Sequence, residues 1–424
     1  MSVHPATPEL LAWLIARQED IVRLVEELAH LESPTTEPER QGPVFDLVGN
    51  QLLDLGWEVR RLQGETTGGQ LYARPPREPL SHRRALPADA PRSAAQLVVG
   101  HVDTVWPVGT LEEMPVHREG GRLHGPGVFD MKGGLAQLVF ALRALDALEL
   151  EPELVPVVFL NSDEETGSPE SENRIRLLAR RCRRALVLEP ALGLEGRLKT
   201  TRRGGGRFEL IVLGKSAHTG LAPGEGASAI HELSHAIQAV YQLADSERDI
   251  SVNVGEIRGG SRPNVVASSA SAVVDVRVRT RRDGRWIEER LQALESADRV
   301  TPGTTLQVRG AVDRAPMEGT PRNRRLWEAA REVGESLGIQ LEEGMSGGGS
   351  DGNTTSLYTA TLDGLGAVGD GAHALHEYLE VNLLAERAAL LAGLLLLPSG
   401  DGLAGSHRGM EDVRAGSAAG EGGP

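Results

Sequence analysis

The chain has 424 residues, 40% of them hydrophobic and 25% charged, an ordinary balance for a globular protein long enough to bury two substantial cores. Its formal net charge of −15 argues against a nucleic-acid or anionic-membrane partner, so a substrate carboxylate would need local positive charge. A single cysteine, Cys182, excludes an intrachain disulfide framework and reads as an inert helix residue in a reducing compartment.

Residues 9–31 read as one amphipathic helix, with Leu10, Leu14, Ile21, Leu24, Val25 and Leu28 near helical spacing and Ser33-Pro34 as the stop. The N-terminus shows no signal-peptide apolar core, which points to a cytoplasmic protein. A second helix is expected over 39–55, ending at Gly56, then strands over 57–62 and 70–73. Residues 75–95, rich in Pro, Ala, Arg and Ser, read as a solvent loop.

The apolar run Gln96-Leu-Val-Val-Gly100 is a buried strand that runs into His101-Val-Asp103-Thr104. A histidine and an aspartate two apart on an extended chain point to the same side. His101 can then hold a metal while Asp103 fixes its tautomer, or the two can be a core histidine and its acid. Next comes Gly125-Pro-Gly-Val-Phe-Asp130-Met-Lys-Gly133-Gly134, before an apolar helix over 135–148. Asp130 could simply cap that helix, but the glycines on both sides favour a site where backbone must approach closely.

Residues 154–160 form a β-branched apolar run that ends in Asp163, Glu164, Glu165 and Gly167. Taken alone this could be a polar loop after a core strand. Adjacent carboxylates there repel one another and lose hydration, and a multivalent cation is the simplest thing that reverses that cost. Residues 174–184 read as a basic helix whose charge is a solvated face. Residues 185–188 are a further short strand, ending at Glu189-Pro190. Strand tips carrying His101, Glu164-Glu165 and Glu189 would converge on one crevice at the carboxyl ends of an open α/β sheet.

From 203 to 312 the texture changes to strand, helix, two strands, helix and strand, the βαββαβ order of a ferredoxin-like unit. Residues 270–280 alternate Ala272, Val274, Val276 and Val278 against Val273, Asp275, Arg277 and Arg279, one face buried and one wet. A helix over 322–337 resumes the first domain. The Ser346-to-Gly352 segment looks like a phosphate loop, but no Gly-Lys-Ser/Thr follows, which argues against a nucleotide. Residues 365–368 read as a short strand leading to His373-Ala-Leu-His376-Glu377-Tyr378, a fourth strand-then-ligand junction. The longest apolar run, 388–397, is too short to span a bilayer, and the tail from 398 to 424 lacks apolar content and is expected to be disordered.

These motifs together resemble the dizinc exopeptidase family that includes glutamate carboxypeptidase, acetylornithine deacetylase, succinyl-diaminopimelate desuccinylase and aminoacylase. The resemblance covers about 10–396 and is carried by His101-Val-Asp-Thr, the Gly125–Gly134 motif, Asp163-Glu-Glu-Thr-Gly, Glu189-Pro, Ser216-Ala-His218, Ser350-Asp-Gly-Asn and His373-x-x-x-Glu377-Tyr378. The flanking texture is most similar to the glutamate carboxypeptidase branch. It implies an α/β fold: a mixed-sheet zinc exopeptidase catalytic domain (1–202 and 313–397) with an inserted ferredoxin-like dimerisation and lid domain (203–312).

By the same resemblance, Asp130 bridges two Zn2+ per subunit, with Co2+ able to substitute. His101 and Glu189 complete one ion, and Glu165 and His373 the other. Glu164 is the implied general base, Asp103 orients His101, and His218 reaches the partner subunit's site in a homodimer. Arg314 and Asn264 fall where the family contacts substrate, or are ordinary surface and turn residues. The family usually carries an acid where His376 stands, so the motif is counted from His373. A cis peptide is implied between Asp130 and Met131. The expected activity is hydrolysis of an N-acyl amino acid or short peptide with a free C-terminal carboxylate. A deacylase, aminopeptidase or dipeptidase specificity stays open, as does an inactive metal-binding scaffold, although no expected ligand or base is missing.

Overall fold

The computed structural model describes residues 3–76 and 94–399. Most of the expected 75–95 loop, and the expected tail beyond Ser399, lie outside the described residues. The central sheet has six strands in the spatial order Glu58–Leu62, Gln70–Arg74, Val155–Asn161, Ala95–His101, Arg184–Val187, Ala360–Leu362. The last four run parallel and the first two antiparallel, so the sheet is mixed. Leu97, Val98 and Val99 are fully buried, as the unbroken apolar run requires, and each such burial contributes about 1.5–3 kcal/mol. Parallel pairing aligns the strand tips. His101 stands opposite Asn161, and Leu188 N–H donates to the Val99 carbonyl at 2.9 Å.

Helices cover the sheet. The expected first helix is two, Thr7–Ile15 and Gln18–His30, yet all six of its apolar positions are buried. The Gly133–Ala147 helix is enclosed nearly all round, and it packs against Leu384–Leu395. A β-carbon on Gly134 would come within 2.5 Å of the Leu188 carbonyl oxygen, which explains why that helix begins on glycine.

Arg184 departs from its expected solvated face. It is fully buried in a strand, and its guanidinium donates to Gln96 Oε1 at 2.8 Å and to the Leu397 carbonyl at 2.7 Å. It thus satisfies carbonyls left over at the end of the Leu384–Leu395 helix, and burial pushes its pKa down to about 10. Cys182 is buried just past the Glu172–Arg181 helix.

Besides the parallel pair Leu198–Arg202 and Glu343–Ser346, two four-stranded sheets complete the site's surroundings. One is antiparallel, in the order Gly369–Asp370, Tyr378–Glu380, Arg122–His124, His117–Glu119. The expected strand over 365–368 is absent. That segment crosses the tip of Arg184–Val187, with Leu365 N–H donating to Val187 and Gly366 N–H to the Glu189 carbonyl. His373 therefore comes from a loop of this small sheet rather than from a central strand tip.

The other is antiparallel, in the order Ser251–Gly259, Ser269–Val278, Gly204–Leu213, Thr305–Arg314. Helices Ala229–Tyr241 and Arg281–Ala293 pack on it, capped by Ser228 and Thr280. Ala272, Val274, Val276 and Val278 enter an apolar core made only of residues 208–312, separate from the core beneath the central sheet. Among the described residues no helix is long and apolar enough to cross a membrane.

Candidate active site

Three strand tips and two loops of the small sheet meet in one place. The acids after Val155–Asn161 divide. Asp163 turns away and accepts from Ser171 Oγ at 2.6 Å and from the Glu170 and Ser171 backbone N–H groups. Glu164 and Glu165 face the site instead. Ligating atoms of His101, Glu164 and Glu189 lie within 4.8 Å of one another, and so do those of His101, Asp130 and Glu165.

Asp130 sits at the centre. Its Oδ1 is 3.3 Å from His101 Nε2 and its Oδ2 is 3.6 Å from His373 Nε2. His101 Nε2 is also 3.5 Å from Glu189 Oε1, and His373 Nε2 is 3.0 Å from Glu165 Oε2. The Asp130–Met131 peptide is cis. Glu377 holds the loop that carries Asp130: its Oε1 accepts the Phe129 and Asp130 N–H groups at 2.9 and 3.0 Å. Its Oε2 accepts Gly127 N–H and Trp106 Nε1–H at 2.9 and 2.8 Å. Burial nonetheless pushes the Glu377 carboxyl up to about 7.

His101 is oriented by Asp103, though chiefly through main chain. Its Nδ1 lies 2.9 Å from the Asp103 carbonyl oxygen and 3.5 Å from Oδ1. Asp103 Oδ2 accepts from Thr35 Oγ1 at 2.9 Å and from Glu165 N–H at 3.2 Å. Glu189 is held from behind by buried Arg202, whose Nη2 donates to Oε2 at 3.0 Å while its Nε donates to Asp363 at 2.7 Å.

The electrostatics follow from crowded, buried acids. Burial, then the Glu189 charge, pushes the Glu164 carboxyl well above the usual range. Burial also raises Glu165. Burial acts the same way on Asp130, but His101 and His373 overcome it and hold that carboxyl well below its usual range. Burial works against charge on His101, yet Asp103, Asp130 and Glu189 together hold its pKa well above the histidine range. His373 is pushed up to about 10 by Asp130 and then Glu165.

Five buried atoms here make no hydrogen bond: His101 Nε2, Asp103 Oδ1, Asp130 Oδ1, Glu164 Oε1 and Glu165 Oε1. Leaving a buried polar atom bare costs about 1–3 kcal/mol, so their clustering calls for a common partner. Imidazole nitrogen with carboxylate oxygen is the donor set that zinc takes, and the residues present fit such an ion.

The remaining expected residues lie apart from this cluster or at its edge. Arg314 is at the edge, with Nη1 3.6 Å from Glu164 Oε1, lining a cavity of about 530 Å³ with Thr166, Arg277 and Asn353. His218 and Asn264 share an exposed corner of the 204–314 unit, where His218 bridges to Val265. His218 Nδ1 accepts Gly220 and Leu221 N–H at 3.1 and 3.2 Å, which leaves the ring proton on Nε2. No hydrogen bond or ion pair among the described residues links His218 to the cluster, and exposed His376 does not enter it. Sequence reasoning missed Arg202 and Asp363, which stand in no motif. It quoted Glu377 without a role.

The profile of Peptidase family M20/M25/M40 matches residues 97–397. Carboxypeptidase G2 of Pseudomonas sp. (strain RS-16) is 25% identical over 395 residues, 89% of this chain and 89% of that protein. Succinyl-diaminopimelate desuccinylase of Acidovorax ebreus (strain TPSY) is 26% identical over 368 residues, 81% of this chain and 90% of that protein. The solved structure of aminopeptidase PepT from Bacillus cereus ATCC 10987 shares the fold, with a TM-score of 0.70 at 21% identity, covering 89% of this chain and 98% of that one. The chain belongs to Peptidase family M20/M25/M40 and is a metallohydrolase of the peptidase and amidohydrolase kind.

Proposed function

We propose that the protein hydrolyses the amide bond of an N-acyl amino acid or short peptide with a free C-terminal carboxylate, as a glutamate carboxypeptidase-like enzyme. The observation that carries this reading is the division of the Asp130 carboxylate between His101 and His373. His101, Asp130 and Glu189 would hold one Zn2+, and Asp130, Glu165 and His373 a second, with Co2+ able to substitute. Bound there, the ions would supply Lewis acidity to the scissile carbonyl and acidify the attacking water.

The chain's own residues would do the rest. Glu164, its carboxyl raised by burial, takes the proton of the attacking water and gives it to the leaving amine nitrogen. Asp103 fixes the His101 tautomer with its main-chain carbonyl. Arg314, beside Glu164 and in a cavity, would bind the substrate carboxylate. His218 Nε2–H and Asn264 would act at the partner subunit's site in a homodimer formed through residues 203–312, a dimerisation and lid domain inserted into a catalytic domain of 1–202 and 313–397. Lone buried Cys182 fits a reducing compartment, and we place the enzyme in the cytoplasm.

The test is release of free amino acid from a panel of N-acyl amino acids and dipeptides, with zinc or cobalt supplied. Turnover confined to substrates with a free C-terminal carboxylate is expected. Turnover of aminopeptidase substrates blocked at that carboxylate would favour the aminopeptidase reading instead, and no turnover by metal-loaded protein would favour a scaffold.

A further inference from the structure

The antiparallel hairpin of His117–Glu119 and Arg122–His124 carries a second cluster of ligating side chains. His117 and His124 are direct cross-strand partners. Their rings stack with centroids 4.8 Å apart and planes 14° from parallel. Glu119 is two residues from His117 on the same strand, so all three side chains share one face of the sheet. Their ligating atoms lie within 4.8 Å of one another.

We propose that His117, Glu119 and His124 form a separate surface site for a late first-row divalent metal ion such as zinc(II). His117 Nδ1 lies 2.9 Å from the Pro115 carbonyl oxygen, which keeps the proton there and leaves the Nε2 lone pair outward, the arrangement a metal-binding histidine needs. His124 makes no side-chain hydrogen bond among the described residues, and its ring rests 5.5 Å from that of Tyr378. Nearby cations are committed elsewhere. Arg118 is paired with Glu19 and Glu26, both at 2.7 Å, and Arg122 with Glu380 at 2.9 Å while lying over the Tyr378 ring. Two imidazoles and one carboxylate suit zinc, copper or nickel better than calcium or magnesium, which prefer all-oxygen shells. The ion would clip together two strands, the second of which leads through Gly125 into the turn carrying Asp130.

The test is equilibrium dialysis of the full chain against zinc chloride, counting bound zinc per chain. His117 and Glu119 are exposed, so His117→Ala and Glu119→Gln leave the core intact. His117→Ala should bind one equivalent fewer than the wild type, with hydrolytic activity unchanged, and Glu119→Gln should weaken that same equivalent. A second imidazole pair among the described residues, His231 and His235 with Nε2 atoms 3.4 Å apart, is the control. An equal zinc count in wild type and His117→Ala would overturn the proposal, as would loss of an equivalent in His231→Ala alone.

Discussion

Glu377 accepts the backbone N–H of Asp130 at 3.0 Å, so a fully buried carboxylate that touches no proposed metal fixes the residue at the centre of the site. The same side chain takes three further N–H donors, from Trp106, Gly127 and Phe129. Glu377→Ala should lower zinc affinity roughly 10- to 100-fold, the usual scale for a group that orients a ligand. Glu377→Gln should do no better, because its amide NH2 would face N–H donors. Competition with a zinc chelator measures both; full affinity in Glu377→Gln would mean the four hydrogen bonds do not position Asp130.

Glu164 is expected to move protons rather than hold metal. Glu164→Gln should keep its full zinc content while turnover falls by about two to four orders of magnitude, the range for losing a general acid–base group. Loss of one zinc in that variant would exchange the roles of Glu164 and Glu165.

The two histidines of the last motif should behave differently. His373 lies 3.0 Å from Glu165, whereas exposed His376 does not join the cluster. His373→Ala should lose zinc and activity; His376→Ala should retain both. Metal analysis of the pair decides, and zinc loss in His376→Ala would show the register to be wrong.

A zinc ion held as proposed must compete with protons here. His373, pushed up to about 10 by Asp130 and Glu165, is protonated in the ion-free protein at neutral pH. Asp103, Asp130 and Glu189 hold His101 well above the usual range, which favours its proton in the same direction. Each proton must leave for zinc to bind, so apparent affinity should rise with pH toward about 10 and weaken as pH falls. Calorimetry at neutral pH in buffers of different ionisation enthalpy counts the protons released. None released would exclude these histidines as ligands.

The exposed corner of His218 and Asn264 makes a prediction about assembly. His218→Ala and Glu164→Ala subunits, each inactive alone, should recover activity in a mixed dimer, because one site then has intact Glu164 and an intact His218 from its partner. Tagged co-expression, purification of the heterodimer and assay test this. A metal-loaded heterodimer without activity would rule out action across the subunits.

Much of this candidate site was legible in the chain because three central strands and the candidate ligands at their tips are adjacent in sequence. Apolar runs ending at His101, Glu164 and Glu189 announce themselves by local pattern, and parallel pairing is what such runs favour. The alternation over 270–280 likewise fixed which face of the inserted sheet is buried. Other features depended on contacts between distant residues, which leave no periodic trace. Arg202 holds Glu189 and also Asp363, which lies 161 residues further along the chain, and Arg184 reaches carbonyls more than 200 residues away. A basic side chain in sequence looks the same whether it meets water or the bare carbonyls at a helix end. His373 enters from a second sheet because residues 365–368 spend their hydrogen bonds on a neighbouring strand tip. Local pattern determined which residues could be ligands, and the tertiary structure alone decided which of their oxygens and nitrogens face one another, since that depends on hydrogen bonds made far along the chain.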